Sequence, residues 1–157
     1  MAMEASLNPY LNPYAVAGQE ISSTNEGRHV NILEGDLVHP AHTNGFVNKG
    51  DPVSFGIGWA GLGVGIALKT ASADTDVIPI DTEGIWRLSV VAVNPVVIGQ
   101  ALFITANGIV TDDPTNAWAV IGYSLQTISE AGTEVIAVKV HWMGVPWIWF
   151  WWEWWNS

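Results

Sequence analysis

A dense tryptophan cluster limits what this chain can fold into. Six of its 10 tryptophans fall between positions 147 and 155: Trp147, Trp149, Trp151, Trp152, Trp154 and Trp155. Burying a tryptophan removes roughly 150–250 Å² from water, so the cluster carries on the order of 1,000 Å² of aromatic surface. A soluble monomer rarely leaves more than a few hundred Å² of contiguous apolar surface exposed. The cluster must therefore be covered by the chain's own body, a sister subunit, a larger assembly or a membrane interface. It is too short to span a bilayer, which needs about 20 apolar residues.

The other end of the chain carries a tandem repeat, Leu7-Asn8-Pro9-Tyr10 followed by Leu11-Asn12-Pro13-Tyr14. A residue that precedes proline is pushed toward extended or turn geometry, so the repeat predicts an extended arm. One interpretation is a loose terminus. The alternative is that Leu7, Tyr10, Leu11 and Tyr14 enter pockets on a neighbouring molecule, or that the arm adds a strand to its edge.

Between these two segments the sequence indicates strands. Residues 84–93 alternate Trp86, Leu88, Val90 and Ala92 with Arg87 and Ser89, which is typical of a half-buried strand. Asn107-Gly108 favours a tight hairpin. Gly-punctuated strands are predicted at 52–58 and 62–69, and further strands at 117–128 and 134–142. Glycines alternating with Val and Ile at 61–66 indicate close backbone approach or a barrel corner.

The sequence thus predicts an all-β fold, a small barrel or sandwich, because no long window keeps a helical period. We divide the chain into an extended N-terminal arm at 1–26, a β domain at 27–143 and a Trp-rich C-terminal tail at 144–157. Pro146 separates the tail from the last predicted strand.

Composition excludes several functions. The chain has 15 acidic and 5 basic residues, a net charge of −10 and no cysteine. No basic stripe for phosphates can form, so we expect no nucleic-acid binding. Without cysteine there is neither a disulfide framework nor thiolate chemistry. The first 18 residues have neither a basic segment nor an apolar core, so we expect no secretory signal and synthesis in the cytoplasm.

A search for catalytic or cofactor-binding motifs gives negative expectations. His39-Pro40-Ala41-His42 has no third ligand nearby, so loop histidines are expected, not a metal site. Asp74, Asp76, Asp81 and Glu83 lack the spacing of a calcium loop and predict one solvated acidic loop. Asp112-Asp113-Pro114 is typical of a turn and cap. We expect no catalytic residues, no metal and no cofactor, and therefore no enzyme.

Several segments of the β region follow one another in a characteristic order and spacing: Asn48-Lys49-Gly50-Asp51-Pro52-Val53, the Gly-rich stretch 57–68, residues 77–86, Ile98-Gly99-Gln100-Ala101-Leu102-Phe103, the Asn107-Gly108 hairpin, Val120-Ile121-Gly122-Tyr123-Ser124-Leu125 and residues 132–140. Through these segments the chain resembles, from Val47 to Trp142, the small capsid decoration (cement) proteins of tailed bacteriophages. Family members usually stop soon after the last strand, so the Trp-rich tail is an addition, and the arm is longer than the minimal form.

The resemblance implies a β-tulip-like fold and a structural virion protein made in the host cytoplasm. Such proteins form trimers, or occasionally other oligomers, on the outer surface of an expanded icosahedral capsid. There they bridge adjacent major capsid subunits and resist the pressure of packaged DNA, through binding energy and not catalysis. The arm would then anchor the protein, and the tail would seal the oligomer or bind the capsid.

Three alternatives remain open from the sequence. The tail tryptophans could contact a host glycan or a membrane interface from the virion surface. The chain could instead be a β-barrel component of a tail or baseplate. Finally, the tail could fold back over the open end of its own barrel without any partner.

Overall fold

The computed structural model describes residues 14–22, 28–57 and 61–142, and these residues contain 11 β-strands and one turn of 3-10 helix, Glu34–Asp36. The strands are β1 Glu20–Ser22, β2 His29–Leu33, β3 Leu37–Val38, β4 Pro52–Ile57, β5 Gly61–Ala67, β6 Val77–Asp81, β7 Glu83–Ala92, β8 Ala101–Thr105, β9 Val110–Thr111, β10 Ala117–Ser124 and β11 Gly132–His141. The predicted all-β class is confirmed.

Five strands close into a barrel in the order β7-β11-β10-β8-β9. Its longest ladder joins β7 and β11 along all ten residues of each strand. The ring closes where the short strand β9 pairs in parallel with β7, Val110 opposite Val90 and Thr111 opposite Val91. Closure removes the sheet edges that would otherwise invite pairing with other chains. Strand β1 adds to β7 near Trp86, beside the barrel.

The remaining strands form an open sheet in the order β2-β6-β5-β4-β3. Its central strand β5 alternates between two faces. Leu62, Val64 and Ile66 join the barrel core, in which Trp86 and Leu88 are 1% exposed. On the opposite face Ala67 belongs to a second core with Ile78, Ile80, Val53 and Val47. The open sheet is therefore apolar on both faces at its centre, and it attaches firmly to the barrel.

Most sequence-based expectations for the strands are confirmed. Trp86, Leu88, Val90 and Ala92 all point into the core, as their alternation predicts. The Asn107-Gly108 turn connects β8 and β9, with Gly108 at φ +73°. Arg87 is an exception, because it is 6% exposed and not part of a solvated face.

The glycines of β5 confirm close packing. A Cβ atom on Gly63 would lie 2.1 Å from the Phe55 ring, and one on Gly65 would lie 2.5 Å from the Asp81 carbonyl oxygen. The alternation of glycine with aliphatic residues therefore leaves room for an aromatic ring and a neighbouring backbone on one face. Within the described ranges no helix has the length and hydropathy of a membrane-spanning segment.

Candidate functional site

The predicted contact residues fall mostly in segments that the structure does not describe. Leu7, Tyr10 and Leu11 of the arm lie outside the described residues, as do the tail residues Trp147, Trp149, Trp151, Trp152, Trp154 and Trp155. Tyr14 is described and is 86% exposed. Its neighbour Val16 is 66% exposed, so the arm presents apolar side chains to the outside where it joins the domain.

The arm is fixed to the domain by two glycines. Gly18 N donates a 2.7 Å hydrogen bond to the Arg87 carbonyl oxygen, and Arg87 N donates one of 2.8 Å to the Gln19 carbonyl oxygen. Gly18 and Gly50 lie backbone to backbone, both at positive φ, and a Cβ on Gly50 would lie 2.6 Å from the Gly18 Cα. Any side chain at either position would separate the arm from the loop before β4.

A cleft of about 280 Å³ opens where the arm leaves the domain. The arm, the loop before β4 and the barrel all contribute to its lining, which includes Ala17, Gly18, His42, Lys49, Asp51, Ser89, Val91 and Ile109. Val91 and Ile109 are 38% and 39% exposed, so the barrel side of the cleft is apolar while the loop side is polar. The cleft can receive a side chain of either the arm or a partner.

The tail begins next to a pair of aromatic rings. Trp142, the last described residue, packs edge-on against Phe55 with ring centroids 5.4 Å apart at 74°. The Phe55 ring in turn lies over Gly63, and Trp142 N donates a 3.1 Å hydrogen bond to the Thr82 carbonyl oxygen. Trp142 is 41% exposed, so an aromatic surface is already present where the Trp-rich tail starts.

The arm and the tail leave the domain toward opposite ends of β7. Both β1 and β11 run antiparallel to β7, so the chain arrives at the Arg87 level and departs at the Thr82 level. Five residues of strand separate the two levels, or roughly 17 Å at about 3.4 Å per residue. The β domain therefore separates the points at which the arm enters it and the tail leaves it.

A buried ionic network joins the open sheet to the barrel. Arg28 Nε and Nη2 donate to Oδ1 and Oδ2 of Asp81 at 2.8 and 2.6 Å. Trp86 Nε1 donates to Asp81 Oδ2 at 2.9 Å. Asp81 is 0% exposed, so the prediction that it belongs to a solvated acidic loop is wrong. No local pattern signals its burial, because Arg28 lies 53 residues away along the chain.

The two histidines of the His39-Pro40-Ala41-His42 motif each contact a carboxylate. His39 Nε2 lies 3.0 Å from Glu34 Oε1, and His42 Nε2 lies 2.6 Å from Asp51 Oδ2. The same carboxylate oxygens accept backbone N–H groups of Val47 and of Asn48. The pairs thus hold the loop before β4 in place. In the described ranges no three His, Asp or Glu side chains lie close enough together to hold a metal ion.

Among the described residues, three acidic groups near the surface have lowered pKa values. Hydrogen bonding and charge from Lys139, 3.1 Å away, lower the pKa of Glu83, with a smaller contribution from His141. The hydroxyl and backbone N–H of Thr115 lower the pKa of Asp113. The backbone N–H of Ser72 is the main cause of the lowered pKa of Asp76. These contacts are turn and surface contacts, which agrees with the predicted turn at Asp112-Asp113-Pro114.

Comparison with known proteins gives one match. A model of the phage cement protein family matches residues 30–140, which run from β2 to the end of β11. Comparisons with curated proteins and with solved structures gave no match.

Proposed function

This chain belongs to the phage cement protein family, and from that premise we propose that it binds the outer surface of an icosahedral phage capsid and bridges major capsid subunits. Membership alone implies a structural, capsid-stabilising role in the virion. The finer assignment to subunit bridging is supported by the two apolar segments that leave opposite ends of β7. A rigid body between two separated anchors can bind two neighbouring subunits at once.

Each of the three predicted regions then has its own role in binding. The arm at 1–26 and the tail at 144–157 supply the contacts, and the β domain at 27–143 sets the distance between them. Tyrosine and tryptophan are enriched among the residues that dominate binding energy at interfaces. Leu7, Tyr10, Leu11, Tyr14 and the six tail tryptophans are therefore the residues that we assign to capsid or inter-subunit contacts. No catalytic step is part of this function.

Charge supports the outer location. A protein with a net charge of −10 would be repelled by packaged DNA on the inside of the head. On the outside the same charge keeps the particle soluble and steers each copy toward basic patches of the shell. Binding to the assembled shell and not to its dissociated subunits stabilises the shell by mass action.

The test uses expanded capsid shells that lack the protein. The purified full-length chain should sediment with the shells to saturation and raise their melting temperature. Chains lacking residues 1–13 or 144–157 should bind more weakly, and unexpanded shells serve as the control surface. If the full-length chain does not sediment with expanded shells, the proposal fails.

Copy number separates a decoration protein from a tail or baseplate component. A protein that covers the shell is present in on the order of hundreds of copies per virion, because each symmetric interface of the capsid repeats the site. Quantitative mass spectrometry of purified virions measures this number directly. A count of a few tens or fewer would assign the chain to another part of the particle.

A further inference from the structure

We propose that the outer edge of β2 receives the Leu7–Pro13 segment of a second copy of this chain as an added antiparallel strand. The inference concerns contacts between copies: it selects the inter-subunit alternative for Leu7, Tyr10 and Leu11, and it leaves the tail and the β domain to bind the capsid. It rests on an edge that the structure exposes and on the spacing of prolines in the sequence.

Strand β2 is the longest edge strand among the described residues. Thr82 N donates to the Arg28 carbonyl oxygen and Glu34 N donates to the Asp76 carbonyl oxygen, both at 2.9 Å. Even-numbered residues of this segment therefore direct their backbone groups toward β6. Since backbone groups alternate along a strand, His29, Asn31 and Leu33 direct theirs outward. No strand of the described part of the chain pairs with this edge.

Nothing in the described part of the chain protects this edge. Natural sheet edges are commonly guarded by lysine, proline, a bulge or a very short strand. Strand β2 has five residues, His-Val-Asn-Ile-Leu, in an unbroken ladder with β6. By contrast, the opposite edge of the same sheet, β3, is only two residues long. An unguarded edge of this length is a site for strand addition.

The two faces of β2 differ in polarity. Val30 and Ile32 are half-buried and pack against the second core. The side chains of His29, Asn31 and Leu33 lie on the other face and are exposed. An added antiparallel strand should therefore be apolar at positions that flank Val30 and Ile32, and polar or aromatic at the alternate positions.

The tandem repeat of the arm has the pattern that such a strand requires, with apolar side chains on one face and polar or aromatic side chains on the other. Pro9 and Pro13 lie at odd positions, so every even residue from Asn8 to Asn12 keeps its backbone N–H on one edge of an extended arm. Proline is tolerated in an edge strand only when its nitrogen faces away from the ladder. With Asn8, Tyr10 and Asn12 opposite the outward residues of β2, Leu7 and Leu11 fall on the face of the second core.

The direction in which the arm leaves the domain favours a second copy as the donor of the added strand. Ahead of β1 the chain passes Gly18, beside Arg87, and then Ala17, which lines the cleft with Ser89 and Val91. It therefore runs toward the far end of β7, whereas β2 starts opposite Asp81 at the near end. To reach its own β2 the arm would have to reverse direction. A second copy can present its β2 edge in the direction in which the arm leaves, and head-to-tail contacts of this kind form a ring, such as a trimer, when the rotation between copies closes.

The chain has no cysteine, so introduced cysteines report this contact cleanly. The full-length Tyr10→Cys/Asn31→Cys variant is treated with a short bis-maleimide, which tolerates a two-residue difference in register. Covalent oligomers on a reducing gel are the expected result. A monomer cross-linked within itself, or thiols that remain unlinked, would overturn the proposal. The single variants Tyr10→Cys and Asn31→Cys control for random collision.

Backbone hydrogen bonding is tested by a matched pair of variants at one position. Asn31→Pro removes the outward N–H of β2 without removing a donor to β6, and it should weaken association of the isolated protein about tenfold. Asn31→Ala keeps the N–H and should leave association unchanged.

A second pair of variants tests the arm: Asn12→Pro should weaken association, and Leu7→Pro should weaken it less. Equal effects within both pairs would contradict strand addition. Capsid binding is not measured in either experiment, so failure here leaves the proposed function untouched.

Discussion

Asp81 and Trp86 are joined by a 2.9 Å hydrogen bond from the indole Nε1 to the carboxylate Oδ2, across Thr82, the single residue between β6 and β7. The same carboxylate binds Arg28 through both of its oxygens. One buried side chain thus connects the segment before β2, the end of β6 and the barrel core. This carboxylate therefore links the open sheet to the barrel, in addition to the packing of β5 in the barrel core.

Asp81→Asn is expected to lower the free energy of unfolding by about 3–5 kcal/mol, because it removes the carboxylate charge to which the buried Arg28 guanidinium donates two hydrogen bonds. Urea denaturation at a fixed protein concentration measures the loss. Asp36→Asn, at an exposed position in the 3-10 turn, is the control and should change stability by less than about 0.5 kcal/mol. Equal, small effects for the two variants would mean that the Arg28–Asp81 pair does not hold the sheets together.

Ser54→Ala is expected to leave stability unchanged or to raise it by about 1 kcal/mol. The Ser54 hydroxyl is fully buried and has no hydrogen-bond partner among the residues that the structure describes, so its removal relieves a desolvation penalty. Ser124 is equally buried, but its hydroxyl donates to the Gln126 carbonyl oxygen. Ser124→Ala should therefore destabilise the protein by about 1–3 kcal/mol. Thermal unfolding of the two variants gives the comparison, and the opposite order would refute it.

Gly122→Ala is expected to destabilise the barrel by at least about 3 kcal/mol, the upper range for overpacking. An added Cβ would lie 2.0 Å from the Lys139 carbonyl oxygen of β11, which cannot move without breaking the ladder. Gly45 is the matched control, because its surroundings are empty and only its φ of +78° opposes a side chain. Gly45→Ala should lose about 1–2 kcal/mol. If calorimetry shows similar losses of stability for Gly122→Ala and Gly45→Ala, the packing argument is contradicted.

Acid should weaken the contact between Glu83 and Lys139. Because the folded-state pKa of Glu83 is lowered, its contribution to stability is present above the unfolded pKa, about 4.3, and is lost as the pH falls through the folded value. Wild-type protein should therefore be more stable than Glu83→Gln at pH 7, and the difference should shrink as the pH falls below the unfolded pKa and vanish once the pH is below the lowered folded-state pKa. Salt should reduce the difference at pH 7, since the pair is exposed. A difference that persists at low pH would assign the effect to packing.

Removal of the residues after Met143 is expected to convert a trimer into a monomer in light scattering, if the tail seals the oligomer. A trimer that survives the truncation would assign the tail to the capsid or to a host surface. Quenching of tryptophan fluorescence on the intact virion distinguishes a tail bound to the capsid from a tail that contacts a host surface, because the capsid shields its bound tail from the quencher. If both forms are monomers and the truncated one melts earlier, the tail covers its own barrel.

Local patterns predict this fold well where neighbours along the chain decide the structure. The alternation around Trp86 predicts the buried face of β7, and Asn107-Gly108 predicts its turn. Arg87 and Asp81 escape prediction because distant strands bury them, and no local pattern encodes a distant partner. The parallel pairing of Val110 with Val90, which closes the barrel, is likewise a tertiary event. The arm and tail residues assigned from sequence remain predictions.

The opposed exits of arm and tail from β7 have a mechanical consequence. If swelling of the head pulled the two termini apart, the force would run along the strands and would load β1, β7 and β11 in shear. The ten-residue ladder between β7 and β11 shares such a load among many bonds at once. The short pairing of β1 with β7 does not, because it joins only a few residues. The pairing of β1 with β7 would therefore break first and leave the barrel intact. The β domain can then stay folded under a force that is large enough to pull the arm away from it.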